Sequence, residues 1–458
     1  MAPGDLRSLL QLIEEAGQLA RVPVQVDPYL ELATVVDRVD RGAGQRRALL
    51  FEQVRGSLLP VATGLFGTLE RIGWALGATE LAGLAERLAG ALAATGEETA
   101  EQALLALAAD PAWQPVISGR PAWLEDDQGA TGLDLLPAVT AWPGDGGPYL
   151  TLAQVYTRHP DGGALNCGIY RIQRHDRFTA TVRCRPGSGA AAHLTAWHER
   201  GLAMPVAVAL GGVPALTWAA TAPLPDGVEE AAFCGWLTGS RLTMSACQNS
   251  GLQVPASAEV VIEGVIPPGA VRREGPFGNH TGGYDADPAA PELRVQSVRA
   301  RRGAICPWTL VGPPPRENLA LAQATAGLFL PLVRMAVPAV RRLHMPAEGI
   351  FHRAALVTVA ASEERPLAEL AGRLWATLLL RDARLLVIGV DDHAPCDAAA
   401  VFWRVLNRSD WGRDLLVDRG RLAIDARRLP AGGAVHSDPA VLARVLARWR
   451  DYRLDGCG

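Results

Sequence analysis

The residues from Glu274 to Asp285 combine chemically active side chains with a constrained backbone. This stretch, EGPFGNHTGGYD, contains carboxylate, carboxamide and imidazole groups among four glycines and one proline. Glycines allow a backbone to approach a ligand closely, and Glu274 is of a residue type that serves as a general acid or base. A structural role for Glu274 in a turn is an equal alternative at this point. The stretch is therefore a candidate catalytic loop.

Two upstream segments carry polar side chains that suit ligand binding. In ALNCGIYRIQ, alternation along a strand directs Asn166 and Arg171 to opposite faces, although each is also compatible with an ordinary exposed position. In PDGVEEAAFCG, Glu229 and Glu230 open a predicted helix, where acidic side chains complement the helix dipole. Neither segment identifies a site by itself.

The segment FTATVRCRPGSGAAAH ends in a loop of small residues. The backbone N–H groups of Ser188 and Gly189, with Arg183 and Arg185 beside them, are suited to cradling a phosphate. A Gly-Ser pair is a weak signal when it stands alone. It gains meaning only from the segments around it.

The composition excludes several classes of enzyme. The 458 residues include no lysine, so pyridoxal phosphate chemistry, Schiff-base aldol chemistry and a Walker-type phosphate loop are not expected. Arginine can still bind phosphates and carboxylates through two hydrogen bonds. The net charge of −4 predicts no nucleic-acid or membrane-surface partner. The seven scattered cysteines favour reduced thiols in the cytoplasm, and no signal segment precedes the first predicted helix.

A chain of this length predicts several domains, and the sequence pattern divides it into three. Residues 1–118 read as an α/β unit that opens with a helix capped by Asp5. Residues 119–307 consist mainly of short β-type runs, which favour a sandwich or a barrel. Within them, the uncharged run 202–225 is interpreted as buried sheet because prolines and a Gly-Gly pair interrupt it. Residues 308–458 return to an α/β pattern.

The C-terminal unit is predicted to contain helices from Asn318 to Val333 and from Pro366 to Arg381. A last helix begins at Pro439, with Asp438 as its cap. The apolar residues on one face of this last helix are Val441, Leu442, Val445, Leu446 and Trp449. The run RLLVIGVDD reads as a buried strand that ends in two aspartates.

Taken in order, these segments resemble the UbiD family of decarboxylases, which use prenylated FMN. The motifs that carry the resemblance are LNCGIYRIQ, PDGVEEAAFCG, LQVPASAEVVIEG, EGPFGNHTGGYD, VGPPPREN, RLLVIGVDD and AIDARR. Their order and spacing match over nearly the whole chain, including the opening DLRSLLQLIEEAGQLARV. The resemblance implies an α/β (α+β multidomain) fold, in which a central split β-barrel flavin-binding domain is flanked by N-terminal and C-terminal α/β domains, the last involved in self-association.

The resemblance also implies roles for individual residues. Arg171 and Glu274 match the family's catalytic pair, and Asn166 and Glu230 match positions that bind a divalent metal, Mn²⁺ or Mg²⁺, with K⁺ as a further candidate ion. Arg384 stands where a family lysine approaches the phosphate, and an arginine can replace that cation. The cofactor-contacting positions implied by the family are Asn166, Ile169, Tyr170, Arg171, Arg183, Cys184, Arg185, Ser188, Gly189, Glu230 and Arg384.

Two positions depart from the family pattern. The family has a third catalytic residue, an acid five residues after Glu274, and this chain has Asn279 there. A carboxamide supplies no acidic proton at neutral pH, so the proton would come from Glu274, from water or from His280. The family's histidine ligand aligns near Gly187, and His193 downstream, or a water molecule, is expected to replace it.

The predicted function is the non-oxidative, reversible decarboxylation of an α,β-unsaturated or (hetero)aromatic acid with prenylated FMN. Such a reaction needs an electron sink that only a cofactor can provide in a chain without lysine. Two alternatives remain open. Asn279 favours a catalytically impaired cofactor-binding paralogue or a subunit of a carboxylase complex, and the third reading is a flavin reductase with a related barrel.

The expected partners follow from the same resemblance. They are a small carboxylic acid as substrate, a flavin prenyltransferase as supplier of the cofactor, and further copies of this chain in a homodimer or larger homo-oligomer. Four residues are candidates for the substrate pocket, although core packing is the default for their apolar members. They are Trp308, Asn318, Leu328 and His352.

Overall fold

The computed structural model describes residues 1–42, 44, 46–125, 132–390, 398–428 and 437–452. Its N-terminal part is an α/β unit, as predicted. The elements are α1 Leu6–Glu15, β1 Leu19–Val26, α2 Glu31–Arg41, β2 Ala48–Val54, β3 Val61–Thr63, α3 Leu69–Leu76, α4 Leu81–Thr95 and α5 Ala100–Ala109. The strand Cys306–Pro307, from far along the chain, adds to the edge at β3. The first unit therefore shares a sheet with the end of the second.

The central part is built on a large curled sheet, which confirms the predicted half-barrel. The elements are β4 Val116–Ile117, α6 Ala122–Glu125, β5 Tyr149–Leu150, β6 Gln154–Thr157, β7 Asn166–Ile169, β8 Ile172–Arg174, β9 Thr179–Val182, α7 Gly189–Glu199, β10 Met204–Gly211, α8 Pro214–Ala219, α9 Glu230–Thr238, β11 Thr243–Ala246, β12 Gln253–Pro255, β13 Ala258–Ile266, β14 Val271–Gly278, β15 Tyr284–Ala300 and β16 Cys306–Pro307. The main strand order is β5-β8-β9-β15-β13-β10-β6-β7.

The long strand β15 connects the barrel to the candidate catalytic loop. Its second half pairs with β13, and its first half pairs with β14, so β15 continues out of the sheet as one arm of a hairpin. β14 and the turn that follows it contain the whole stretch from Glu274 to Gly283. The hairpin therefore fixes the candidate catalytic loop to the barrel wall.

The C-terminal part is a five-stranded α/β unit among the described residues. The elements are α10 Glu317–Leu328, α11 Leu330–Ala336, β17 Val340–His344, β18 Ala354–Val359, α12 Leu367–Trp375, β19 Leu385–Val390, α13 Ala398–Arg408, β20 Leu415–Asp418, β21 Arg421–Ala426 and α14 Pro439–Ala447. The strand order is β17-β18-β19-β21-β20, with β18, β19 and β21 parallel. The two aspartates after β19, like Cys396 and Cys457, lie outside the described residues.

Two predicted elements are wrong in detail. The run 202–225 is sheet only in its first half, because helix α8 follows β10. Pro214 lies in the first turn of α8, where its fixed φ favours a helix and its missing N–H costs nothing. The predicted helix from Asn318 to Val333 is two helices that meet at Phe329 with a bend of 46°. Pro331 lacks the N–H that a continuous helix would use there.

The ends of two other predicted helices are also defined. The helix expected to reach Arg381 ends at Trp375. Asp438 caps α14 as predicted, since its carboxylate accepts the N–H groups of Ala440 and Val441. The described residues leave the apolar face of α14 exposed, with Leu446 at 61%.

No single helix among the described residues is long and apolar enough to cross a membrane. The pair α10 and α11 meets the length and composition criteria only when both helices are taken together across their bend. Much of that pair lies in the protein interior, including Leu321, Leu328 and Val333.

A buried carboxylate joins the N-terminal helix to the barrel. Glu259, on β13, has no exposed surface, and both of its oxygens accept hydrogen bonds from Arg7 at 3.0 Å. The N–H of Ile305 donates a third hydrogen bond, and Arg301 lies 3.4 Å away. This set ties α1, β13 and the segment before β16 together.

We predict that Glu259→Gln lowers the free energy of unfolding by about 2 kcal/mol, because it leaves a partly buried guanidinium with a neutral partner. Urea denaturation is the measurement. Glu52→Gln is the control, since Glu52 pairs with Arg21 on the surface, where such pairs contribute at most about 1 kcal/mol. Equal losses for the two variants would contradict the prediction.

Candidate functional site

Arg171 and Glu274 form a buried ion pair in the barrel. The Nε of Arg171 donates to Oε1 of Glu274 at 2.8 Å, and its Nη2 donates to Oε2 at 2.7 Å. Glu274 has no exposed surface, and the Arg171 side chain is 9% exposed. The guanidinium also lies 4.4 Å from the ring centre of Phe277, a cation–π distance. The geometry is the bidentate pairing that charge-assisted hydrogen bonds favour.

The loop before β5 braces the hairpin that carries Glu274. Gln173 accepts the N–H of Gly275 at 2.8 Å and donates to the carbonyl of Gly146 at 2.9 Å. Gly146 packs so closely that a Cβ there would lie 2.1 Å from the carbonyl oxygen of Gly275. Asp145 accepts the N–H of Gly278 at 2.8 Å. Gly275 itself has φ +89°, a conformation that favours glycine.

The side chain of Asn279 forms hydrogen bonds within its own turn. Its side-chain oxygen accepts the N–H of Thr281 at 2.8 Å and the hydroxyl of Thr281 at 2.7 Å. Its backbone N–H donates to Gly283, and Gly282 donates back to its carbonyl. This is the local capping for which Asn is suited. The amide therefore stabilises the turn between β14 and β15.

His280 follows on the same turn and contacts the C-terminal unit. Its Nδ1 lies 3.3 Å from the carbonyl of Gly312, and its ring meets Phe351 edge-on at 5.2 Å between centres. Burial disfavours the imidazolium and lowers the pKa of His280 to about 4. An imidazolium at His280 is therefore disfavoured as a proton donor at pH 7. The imidazole is neutral at pH 7.

We predict that the imidazole of His280 titrates with a midpoint near pH 4. Because this pKa lies below that of an unfolded histidine, the contribution of His280 to stability is complete above about pH 6.5 and is lost as the pH falls through 4. The NMR titration of the His280 ring, assigned by comparison with His280→Gln, measures it. A midpoint above 6 would contradict the burial argument.

A second group of polar residues lies where β7 meets helices α7 and α9. The Nδ2 of Asn166 donates to Oγ1 of Thr157 at 3.3 Å, and Nδ1 of His193 lies 3.0 Å from that same oxygen. Oε2 of Glu230 accepts the N–H of Cys167 at 2.9 Å. The structure thus brings Asn166 and His193 together through Thr157 and places Glu230 beside the same strand.

The electrostatics of this group suit a cation. Desolvation raises the pKa of Glu230 to about 8, and the charge of Glu229 adds to the effect. Desolvation lowers the pKa of His193, so its ring is neutral at pH 7. The described residues contain no cluster of three His, Cys, Asp or Glu that could hold a metal. Asn166, Glu230 and His193 stay the predicted ligands of a hard divalent ion.

The residues of the predicted phosphate cradle lie at the N-terminus of α7. Ser188 caps this helix by accepting the N–H of Ala191, and the Ala190 N–H faces the hydroxyl of Tyr170 at 3.4 Å. A Cβ at Gly189 would lie 2.3 Å from Oδ1 of Asn166, so only glycine allows this approach. A helix N-terminus with free N–H groups is a site that favours phosphate.

Arginines and aspartates extend from the cradle to the ion pair. Arg183 contacts Asp287, and its Nη2 lies 3.7 Å from Oδ2 of Asp285. That oxygen is also 3.5 Å from Nη2 of Arg171. Arg185 lies within electrostatic range of Arg171 and Asp285. The buried Nε of Arg183 has no hydrogen-bond partner among the described residues, which fits an anionic ligand.

The remaining predicted residues lie at different distances from this centre. Ile169 ends β7, half-buried, and Cys184 packs against the barrel core, where burial raises the pKa of its thiol to about 12. Arg384 is exposed at the start of β19, and its backbone N–H donates to the carbonyl of Arg353. Its approach to a phosphate stays a prediction.

An open cleft of about 740 Å³ lies between the catalytic hairpin and the C-terminal unit. Its lining includes His280, Arg353 and residues 313–315 and 347–350. Arg353, which lines the cleft, lies within electrostatic range of Arg185, and so does Arg171. The cleft is a candidate route for a substrate.

Of the four pocket candidates, two have orphaned polar atoms. Nε1 of Trp308 and Oδ1 of Asn318 are buried and have no hydrogen-bond partner in the described ranges. Leu328 packs in the core, and His352 is exposed. The orphaned atoms of Trp308 and Asn318 keep both residues as candidates for contact with a polar ligand.

Sequence reasoning missed several residues of the site. Thr157 bridges Asn166 and His193, and Gln173 and Asp145 hold the hairpin. Asp285 had no predicted role beyond ending the candidate catalytic loop. A signal for Asp285 existed, since β-strand alternation on a hairpin places it opposite Phe277, but the length of the turn had to be known first.

The comparison with protein families decides the class of this chain. Three consecutive family models match it, described as the N-terminal, Rift-related and C-terminal domains of 3-octaprenyl-4-hydroxybenzoate carboxy-lyase, over residues 10–102, 118–314 and 319–436. The chain belongs to the UbiD family of carboxy-lyases. A protein of Archaeoglobus fulgidus is 35% identical over 91% of this chain and 86% of its own length.

Solved structures of UbiD enzymes share the whole fold. The evolved dimeric form of the UbiD-class enzyme HmfF from Pelotomaculum thermopropionicum, in complex with prFMN, is 28% identical. It covers 98% of this chain and 100% of its own, with a TM-score of 0.82. Vanillic acid decarboxylase of Sedimentibacter hydroxybenzoicus, in its closed form, has a TM-score of 0.84 at 21% identity, with coverage of 99% and 100%. The predicted UbiD membership and fold are confirmed.

Proposed function

We propose that this UbiD protein catalyses the non-oxidative, reversible decarboxylation of an α,β-unsaturated or (hetero)aromatic carboxylic acid, with prenylated FMN and a divalent metal. The observation that carries the proposal is the buried, bidentate pair of Arg171 and Glu274 beside a glycine-lined phosphate cradle. A flavin phosphate fits the α7 N-terminus, and the cofactor would be made by a separate flavin prenyltransferase. A cytoplasmic location remains a prediction.

The modified flavin, when bound, supplies the electron sink that loss of CO₂ from an unsaturated carbon requires. The protein's part begins with Arg171. Glu274 uses its Nε and Nη2, so a substrate carboxylate would meet the remaining Nη1 group. The ring of Phe277 lies 4.4 Å from the guanidinium and packs edge-on against Tyr149 at 4.6 Å between ring centres.

Glu274 holds Arg171 in place and lies beside Tyr149. Burial, followed by the negative charge of Glu274, raises the pKa of the Tyr149 phenol, so Tyr149 stays protonated and can donate a hydrogen bond. Glu274 thereby orients the guanidinium toward the substrate while remaining shielded from solvent. Low dielectric surroundings strengthen each of these interactions.

We predict that Glu274→Gln in flavin-loaded protein lowers the rate of CO₂ release at least 100-fold, because Arg171 loses the carboxylate that orients it and a small misplacement of a positioning group can cost about 100-fold. Glu292→Gln is the matched control: Glu292 also pairs with an arginine of the hairpin, Arg272 at 2.8 Å, and its loss should leave the rate within about threefold. A rate for Glu274→Gln equal to that of the wild type would overturn the role of Glu274.

The metal would be held by Asn166, Glu230 and His193. The carboxylate and amide oxygens match the preference of Mn²⁺ and Mg²⁺ for hard ligands. Because Asn166 also abuts Gly189 at the cradle, a cation here would lie close to the cofactor phosphate and neutralise its charge. K⁺ is a further candidate ion.

We predict that Glu230→Gln reduces both bound divalent metal and bound flavin by at least tenfold, because the metal loses its one carboxylate ligand. Metal analysis of purified protein and flavin absorbance are the measurements. Glu229→Gln is the control, since Glu229 is the adjacent acid at the start of α9 but has no assigned ligand role. Equal metal and flavin contents in all three proteins would argue against this metal site.

Self-association through the C-terminal unit is supported by exposed apolar side chains on two of its helices. On α13, Phe402 is 69% and Leu406 59% exposed, and Leu446 on α14 is 61% exposed. Apolar surface of this kind usually marks an interaction site. We infer a homodimer or a larger homo-oligomer.

A second candidate function is a catalytically impaired cofactor-binding paralogue or a carboxylase-complex subunit. Asn279 favours it, because its amide supplies no acidic proton and is committed to hydrogen bonds within its turn. The intact ion pair between Arg171 and Glu274 argues against it, since both residues that match the family's catalytic pair are present and in contact.

A further inference from the structure

None of the three residues Asn279, His280 and Glu274 is an evident proton donor in the catalytic centre. Asn279 has no acidic proton, and His280 is neutral at pH 7. Both oxygens of Glu274 already accept hydrogen bonds from Arg171. A proton on Glu274 would break one of these bonds, and its complete burial separates it from water.

Asp285 is a carboxylate in the right surroundings. Its register opposite Phe277 on the β14–β15 hairpin places its Oδ2 3.5 Å from Nη2 of Arg171, the same nitrogen that binds Glu274. Arg183 lies 3.7 Å from this oxygen on another side. The side chain of Asp285 is 44% exposed. It therefore contacts both the catalytic arginine and solvent.

We propose that Asp285 is a further catalytic residue, which exchanges a proton with water and delivers it to the carbon that loses CO₂. This assignment rests on the proposed decarboxylase function. It gives the chain an acid six residues after the position occupied by Asn279, on the opposite arm of the hairpin. The turn that Asn279 stabilises is what brings Asp285 back to Arg171.

The step balances without an external oxidant or reductant. The bond between the carboxylate and the substrate carbon breaks, CO₂ leaves, and the electron pair of that bond ends in the new C–H bond. The protonated Asp285 then supplies the proton for the new C–H bond and becomes a carboxylate, which is reprotonated by water. In carboxylation the same carboxylate accepts the proton.

A substrate carboxylate on Arg171 would lie close to Asp285, because Oδ2 of Asp285 is 3.5 Å from Nη2 of Arg171. Arg183, whose Nη2 is 3.7 Å from the same oxygen, helps to hold the Asp285 side chain at this position.

The test compares Asp285→Asn, Asp285→Glu and the same-strand control Glu292→Gln in flavin-loaded protein. The readouts are kcat and KM for CO₂ release, deuterium exchange of the product C–H in D₂O, and product affinity by flavin absorbance titration. We expect Asp285→Asn to lose about 100-fold in kcat and in exchange, with KM and product affinity within threefold. Asp285→Glu should recover at least tenfold, and Glu292→Gln should match the wild type.

Rescue by the double variant Asn279→Asp/Asp285→Asn makes the test sharper. An acid at position 279 should raise the rate of deuterium exchange at least tenfold above that of Asp285→Asn, because it supplies a proton donor in the turn of the same hairpin. Exchange by Asp285→Asn within threefold of the wild type, or a loss confined to KM, would refute the assignment while leaving decarboxylation intact. A loaded wild type that releases no CO₂ would refute the proposed function and, with it, this role.

Discussion

The buried pairing of Arg171 with Glu274 is the interaction on which the rest of the site depends. Removing one partner of such a pair leaves an uncompensated charge in the interior, which typically costs about 3–5 kcal/mol. Two strands far apart in sequence must therefore be held at the distance at which this pair forms, 2.7–2.8 Å between its atoms. Gln173 does this on the Arg171 side by binding the backbone of Gly275. Asp145 does it on the other side through Gly278.

The same requirement explains the glycines of the loop. Gly275 adopts a left-handed conformation directly after Glu274, and Gly146 allows the bracing loop to touch its carbonyl. A side chain at either position would separate the hairpin from the barrel. The long strand β15 then transmits the barrel's register into the hairpin, so that one rigid element places both Glu274 and Asp285 around a single guanidinium. The loop thus positions Glu274 and Asp285, and its glycines also allow its backbone to come close to a ligand.

The pattern of short strands and helices predicted the three-part architecture, and the resemblance of the ordered motifs to the UbiD family implied the pair of Arg171 and Glu274. The sequence did not predict helix α8 or the break between α10 and α11. Both depend on where a proline falls within a helical turn. It could not predict the low pKa of His280 either, since burial by Gly312 and Phe351 comes from a different part of the chain. The position of Asp285 beside Arg171 could not be predicted without the register of the β14–β15 hairpin. That register follows from the turn that Asn279 closes.

The most direct test of the account is CO₂ release by the wild-type protein after co-expression with a flavin prenyltransferase. The purified protein should show the absorbance of a modified flavin and should release CO₂ from at least one acid in a panel of α,β-unsaturated and (hetero)aromatic acids. It should also exchange the corresponding product hydrogen with D₂O. Stoichiometric modified flavin with no CO₂ release and no exchange for any member of the panel would contradict it.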